Sequence, residues 1–456
     1  MAQGMIQKLI ATLIDIAEGM GLHCEPQDME RMAVLVHRVM SYQARQFHTL
    51  EHVFGFLDGA DEITALAAIF HDLIYYQVDD GLPEEVGSLL GPYIEFRENG
   101  LALRSAVPAA DLPYHVCRIV FGFDEGEDLR LFGGLNEFLS ALVMAILLKR
   151  HVSPTDTASV AVCIESSIPF RDDAGQDAIG MALETRLKRL AEAGLIDASA
   201  EDIVTMVRRA TAFGNTDVRD FSLEDPGRFL ANTWKLLPES NASLRSKGTF
   251  SIREYRVALE KMQAFLGSLK PSAIYHAYRG RPSAEEMSRL GAAAHRNLGF
   301  AQTYMRAKLL AVGLVEATAE LTGGDAPMAL FMGDVPHDGS EYAGLMEFLP
   351  DPPAPPWLDT GNPVYRLLRD GRLDESSFDL KNSPLALHLY HRLQPAQWGA
   401  QSRAAQSYFE GTMKAADFLR GFDPGFLADF LRALATMLPT RKSALGALTP
   451  TLVLRS

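Results

Sequence analysis

The stretch RQFHTLEHVFGFLDGADEITALAAIFHDLIYYQVDD, residues 45–80, carries His48, His52 and the adjacent pair His71-Asp72, in a chain of 456 residues with only 12 histidines. Neutral imidazole nitrogens and carboxylate oxygens that converge from different elements are what a divalent cation needs. Mixed nitrogen and oxygen ligation suits Mn, Fe, Co, Ni or Zn better than Ca. By composition a His-Asp dipeptide arises roughly 0.7 times by chance and a His-x-x-x-His pair roughly 0.3 times, so neither alone is informative. His337-Asp338 in VPHDGSEY is such an uninformative pair. The signal lies in the combination: an aromatic before His-x-x-x-His-Val, an apolar helical stretch, then His-Asp-Leu with a tyrosine pair behind it.

These residues must be positioned by helices. Ile63, Leu66, Ala67, Ile69 and Phe70 recur at helical spacing and place His71-Asp72 at the end of that run. His48 and His52, four apart, would share one face of a helix. The set lacks a closing ligand, expected to be a carboxylate from a distant helix. Along the chain, 30–43, 61–76, 137–150, 155–166, 179–194, 201–213, 252–268, 284–321 and 402–420 repeat apolar residues every three or four positions, while strand-like alternation is scarce. This predicts an all-α chain. Its length predicts two domains, 1–237 and 238–456, with the boundary in the polar run PESNASLRSKGTFS and a proline-rich linker or strap at 350–357.

Composition narrows the function. A formal net charge of −15 without any block of like charge argues against a broad nucleic-acid surface, while leaving room for a small phosphorylated substrate in a local pocket. The longest apolar run, 138–148, is too short to span a bilayer, and Asp15 and Glu18 break the N-terminal apolar stretch, which reads as an amphipathic helix. Three scattered cysteines, Cys24, Cys117 and Cys163, suggest neither a disulfide framework nor a zinc knot and predict a cytoplasmic setting.

FHTLEHV followed by AAIFHDLIYY resembles the HD-domain superfamily of metal-dependent phosphohydrolases. The FHxxxHV form is similar to the YHNxxHA element of cyclic nucleotide phosphodiesterases. The resemblance covers roughly 30–235 and implies a helical domain in which a His, the His-Asp pair and a later Asp hold one or two ions, Mg being admitted as well. By position, His52, His71 and Asp72 match metal ligands and His48 matches the histidine that protonates the leaving oxygen, which makes His48 and Asp72 the catalytic candidates; in simpler HD phosphohydrolases with the same element the residue at His48 would equally touch the metal. GNTDVRDF, after the helix at 201–213, resembles the family's late Asn-x-Asp element and nominates Asp217, with Asp220 as the fallback. Two features depart from the phosphodiesterases: the short spacing between His52 and His71, and the lack of an identifiable nucleotide-clamping glutamine. Only the metal chemistry carries over.

Arg45 and Arg171 are candidate phosphate ligands through their planar guanidinium forks. His115 and Glu165 are secondary site candidates. No GxSxG elbow, HExxH helix or GKS/GKT phosphate loop is present; GGDAPMALFMGD (323–334) reads as a turn-rich lid or packing loop. Trp234 and the apolar stripe of 284–321 read as core. The function expected is hydrolysis of a phosphomonoester or phosphodiester. The alternatives are an HD-type di-iron oxygenase, which would recruit His115, and a non-catalytic HD module that binds a nucleotide or protein. The C-terminal region would cover the metal pocket or form a homodimer contact.

Overall fold

The computed structural model describes residues 4–98, 100–171, 175, 177–246, 248–333, 344–352 and 355–453. His337-Asp338 and part of the proline-rich stretch lie outside the described residues. The protein is essentially all-α. Among the described residues no helix is long and apolar enough to cross a membrane. The chain forms two compact units: unit 1 is Met1–Ser222 with Leu269–Ala294, and unit 2 is Leu223–Ser268 with His295–Ser456. The expected boundary at 237/238 falls inside a helix, Pro226–Ser240, and the polar run after it forms a helix end and a short 3-10 turn, Ala242–Arg245.

Unit 1 contains α1 (Met5–Gly19), α2 (Pro26–Met40), α3 (Leu50–Phe54), α4 (Glu62–Phe70), α5 (Glu84–Leu90), α6 (Leu112–Phe121), α7 (Leu135–Leu148), α8 (Pro154–Ser166), α9 (Ala178–Glu192) and α10 (Ala200–Asp217). The sequence pattern does not foresee its small antiparallel sheet, β1 (Ile94–Arg97), β2 (Gly100–Leu103) and β3 (Asp128–Leu129), in the order β1-β2-β3 with Ile94 opposite Leu103 and Leu101 opposite Leu129. These strands are too short to show an alternating pattern.

Helix α8 is the hub. Ser153 caps its first turn by accepting from the Asp156 amide at 3.1 Å, and every side chain from Thr157 to Ser166 is buried. It packs against α4, α6, α7 and α10. Helix α4 starts where Asp61 accepts from the Thr64 amide at 2.8 Å, buries everything from Ala65 to Phe70, and ends there, short of the 61–76 expected from periodicity.

Helix α10 behaves in the opposite way. It opens with a reciprocal Ser199/Asp202 cap and continues through Gly214-Asn215-Thr216 to Asp217, where the residue types suggest a turn. Gly214 is there for close approach: a Cβ on it would stand 2.4 Å from the Ser166 carbonyl oxygen of α8. Asn215 uses its amide on the backbone of His276, donating to the carbonyl at 2.8 Å and accepting from the N–H at 2.9 Å. The Gly-Asn pair therefore serves packing and anchoring inside a helix, and carries Asp217 one turn beyond the predicted end.

Unit 2 comprises α11 (Pro226–Ser240), α12 (Ile252–Ser268), the part of α13 (Ala284–Thr322) from His295 onward, α14 (Met328–Met332), α15 (Pro363–Asp370), α16 (Pro384–Arg392), α17 (Pro395–Phe409), α18 (Ala415–Leu419), α19 (Pro424–Met437) and α20 (Lys442–Val453). The single helix expected at 402–420 is two, broken where Gly411 takes a left-handed φ of 72°.

Candidate metal centre

His52 sits on α3, a short helix held down by buried Leu50 and Val53. His48 precedes that helix, so the His-x-x-x-His pair does not share a helical face as the spacing suggests; the two rings lie 6.4 Å apart, centre to centre. His48 instead stacks on Tyr75 at 4.1 Å, and Phe47 fills the space beside both histidines, 4.9 Å from His48 and 4.7 Å from His52. His71 follows the last residue of α4 and is only 1% exposed. Its Nδ1 donates to the Ala68 carbonyl at 2.8 Å, so the neutral ring presents Nε2 as a bare acceptor.

Around that nitrogen the predicted ligands converge. His71 Nε2 is 3.0 Å from Asp72 Oδ2 and 3.7 Å from Asp217 Oδ1; His52 Nε2 is 3.7 Å and 3.5 Å from the same two oxygens. Ligand atoms about 2.1 Å from one cation stand about 3.0 Å apart at right angles and about 3.4 Å apart at the tetrahedral angle. The shortest observed separation falls in that range and the other three exceed it by 0.3 Å at most, a gap that a bound cation would close. Both Nε2 atoms are buried; His52 Nε2 has no hydrogen-bond partner among the described residues, a costly state for a polar atom unless something else satisfies it, and His71 Nε2 has only the Asp72 carboxylate, and that only while the ring is protonated. Phe56 and Phe213 wall the His71 ring at 5.1 and 5.6 Å, giving the cluster an apolar flank.

The charge distribution also favours a cation. For His71 burial opposes protonation but Asp72 and then Asp217 outweigh it, raising its pKa to about 9. Burial likewise opposes ionisation of Asp72, yet His71, His48 and His52 hold its carboxyl far below the usual range. Without a metal, a proton occupies part of the position a cation would take.

The backbone that presents Asp72 is fixed from both sides. Arg45, fully buried, grips Asp79 in a bidentate pair at 2.9 and 2.6 Å and donates to the carbonyls of Asp72 at 2.7 Å and Leu73 at 2.8 Å. On the other side the Ser140 hydroxyl accepts from the Ile74 amide at 2.9 Å and the Asn136 side chain accepts from the Tyr76 amide at 3.0 Å. Arg45 is thus a clamp on the ligand loop, its fork spent on Asp79 and unable to receive phosphate as predicted.

The other sequence candidates divide. Arg171 donates to Glu165 at 2.8 Å, and Glu165, buried, also receives Arg186 at 2.8 Å. Glu165 is therefore an ion-pair acceptor and not a site carboxylate. His115 turns Nε2 to the Pro108 carbonyl at 3.0 Å and joins no metal-capable group among the described residues. Asp220 lies on the 3-10 turn Arg219–Ser222, where its charge acts on Tyr275.

Two residues were missed by sequence reasoning. Glu137 of α7 has its pKa pushed up to about 7, by burial first and, against its own helix backbone, by the charges of Asp72 and Asp217, with Arg171 opposing. The available signal was three polar residues, Asn136, Glu137 and Ser140, in a helix that is otherwise apolar and buried. Arg219, two residues past Asp217, places its guanidinium 5.8 Å from the Phe56 ring and donates to the Gly55 carbonyl at 3.0 Å. No family model, curated protein or solved structure matches the chain, so the meaning of the cluster rests on its own residues.

Proposed function

We propose that unit 1 is a metal-dependent phosphohydrolase of the HD type, in which His52, His71, Asp72 and Asp217 hold a divalent transition-metal ion. The observation that carries this reading is the convergence of two buried Nε2 atoms on two carboxylates at 3.0–3.7 Å. An ion bound there would supply Lewis acidity and a water of lowered pKa.

The chain's own residues account for the rest. The Ala68 carbonyl fixes the His71 tautomer, and the Arg45 clamp fixes the carbonyl positions on either side of Asp72–Leu73. Phe56 and Phe213 keep water from the back of the cluster. His48, stacked on Tyr75 and acting electrostatically on Asp72, delivers a proton to the leaving oxygen. Arg219 at the rim provides a cation for a phosphoryl group. The three cysteines are free, which supports a cytoplasmic setting.

The test is metal analysis of the purified protein combined with a hydrolysis screen over nucleotides, cyclic nucleotides and phosphomonoesters, repeated on Asp217→Ala. Bound metal and turnover in the parent, both reduced in the variant, are expected. Metal without turnover on any phosphate would replace this reading with a binding module, and two irons with oxygen consumption would replace it with an oxygenase.

A further inference from the structure

Unit 2 contains a cavity of about 400 Å³ whose walls are mostly apolar, among them Phe250, Val312, Val315, Met328 and Phe378. That volume lies within the usual range for a small-molecule site. One part of the wall is different. Lys308, buried on α13 within the apolar stripe read from sequence as core, points its ammonium to Asp379 Oδ2 at 2.7 Å and to the Ser383 hydroxyl at 3.3 Å. Asp379 also lies 3.3 Å from Arg372 Nη1 and receives the indole N–H of Trp234 at 3.0 Å. Arg372 is buried too, and its other contacts are the neutral Tyr304 hydroxyl at 2.9 Å and the Leu380 carbonyl at 2.8 Å.

The cluster therefore sets two buried cations against one carboxylate. Lysine has three donors, and Lys308 spends two of them on Asp379 and Ser383. Tyr255, 3% exposed and lining the same cavity, has its buried hydroxyl beside the Asp379 carboxylate that Lys308, Arg372 and Trp234 already share. A buried excess positive charge beside an apolar chamber calls for one negative charge on an apolar body.

We propose that this cavity binds an apolar monocarboxylate, its carboxylate received by Lys308 and the Tyr255 hydroxyl and its hydrocarbon part by the Val312 and Phe378 side. The net charge of the cluster favours a monoanion: a phosphate monoester would bring a second negative charge next to Asp379 with nothing left to neutralise it.

Calorimetric titration of the full chain with decanoate, decan-1-ol and decyl phosphate tests this without any substitution. Decanoate should bind once per chain, at least about 10-fold tighter than the alcohol, the usual worth of a charge-assisted hydrogen bond. It should also bind tighter than the phosphate. Val312→Trp, which fills the chamber, should abolish decanoate binding. Lys308→Met leaves Asp379 paired with Arg372 and Trp234, and should remove the preference for decanoate over decan-1-ol while keeping the alcohol's affinity. Equal affinities for decanoate and decan-1-ol in the parent chain, no binding of either, or undiminished binding in a folded Val312→Trp would each overturn the proposal.

Discussion

In unit 1, the Asp72 and Asp217 carboxylates face only imidazoles, His52 and His71, and among the described residues no Lys or Arg is paired with either; in unit 2, Asp379 receives Lys308, Arg372 and Trp234 together. Both clusters sit among aromatic rings, so burial does not separate them. The difference is in which partner is missing. A cluster of carboxylates and imidazoles needs a positive charge at its centre, a proton or a metal ion, whereas a cluster with surplus donors has already solved most of its electrostatics and has room for one anion. Unit 1 also holds its own paired control, Arg45 with Asp79, which fixes the ligand loop without taking part in it.

The largest effect expected from this contrast is kinetic. In an open cluster a residue can serve chemistry without holding the fold, so His48→Ala should lower hydrolysis of an unactivated phosphoester by about 10²–10⁴-fold, the usual worth of a positioned proton donor. Metal content should stay at the parent level, because the four converging ligands remain. A nitrophenyl phosphate, whose leaving group needs no proton, should suffer far less. Equal losses on both esters, together with lost metal, would make His48 a ligand and redraw the cluster.

Next comes stability, which should respond in the reverse order. Asp379→Ala leaves Lys308 and Arg372 buried with no counter-charge and should cost about 3–5 kcal/mol in urea unfolding. Asp72→Ala in metal-free protein lets His71 become neutral and so strands no buried charge, and it should cost less than Asp379→Ala. It should nevertheless abolish metal binding. If both substitutions destabilise the metal-free chain equally, the two clusters are the same kind of structure and the contrast fails.

The clusters also differ in how far the sequence reveals them. His52, His71 and Asp72 come from one short segment whose unusual composition marks it, and Asp217 from a local Asn-x-Asp pattern; all four meet in the structure. The helical character was legible for the same reason, since periodicity is a local property. Contacts across long sequence distances were not. Arg45 looked like a phosphate ligand because nothing near it announces Asp79, and Glu137 was hidden in an apolar helix until the chain brought it to the carboxylates. Gly214-Asn215 has the residue types of a turn, yet the close approach of α8 requires the glycine within a helix. In unit 2, Trp234 and the stripe of 284–321 read as core and Lys308 within that stripe drew no notice, because Asp379 lies far along the chain.

The smallest predicted effect is a pH dependence that the paired cluster should not share. His71 Nδ1 is committed to the Ala68 carbonyl, so the proton that raises its pKa to about 9 resides on Nε2, the atom that must face the cation. Binding a metal has to expel that proton. Apparent metal affinity should therefore rise between pH 7 and 9 by up to about 100-fold, tenfold per unit, and level off above 9. Stability of the metal-free protein should move the other way. A folded-state pKa above the unfolded value means a contribution that is fully present below about 6.5 and lost as pH rises through 9. Glu137, raised to about 7, acts with the same sign but below pH 7, so the interval from 7 to 9 isolates His71. Thermal melts of metal-free protein should fall across that interval and those of His71→Ala should stay flat. A metal-free melting curve that is flat from pH 7 to 9 in the parent would mean that Nε2 carries no proton, and that the carboxylates do not create the cation-seeking field on which the contrast between the two clusters depends.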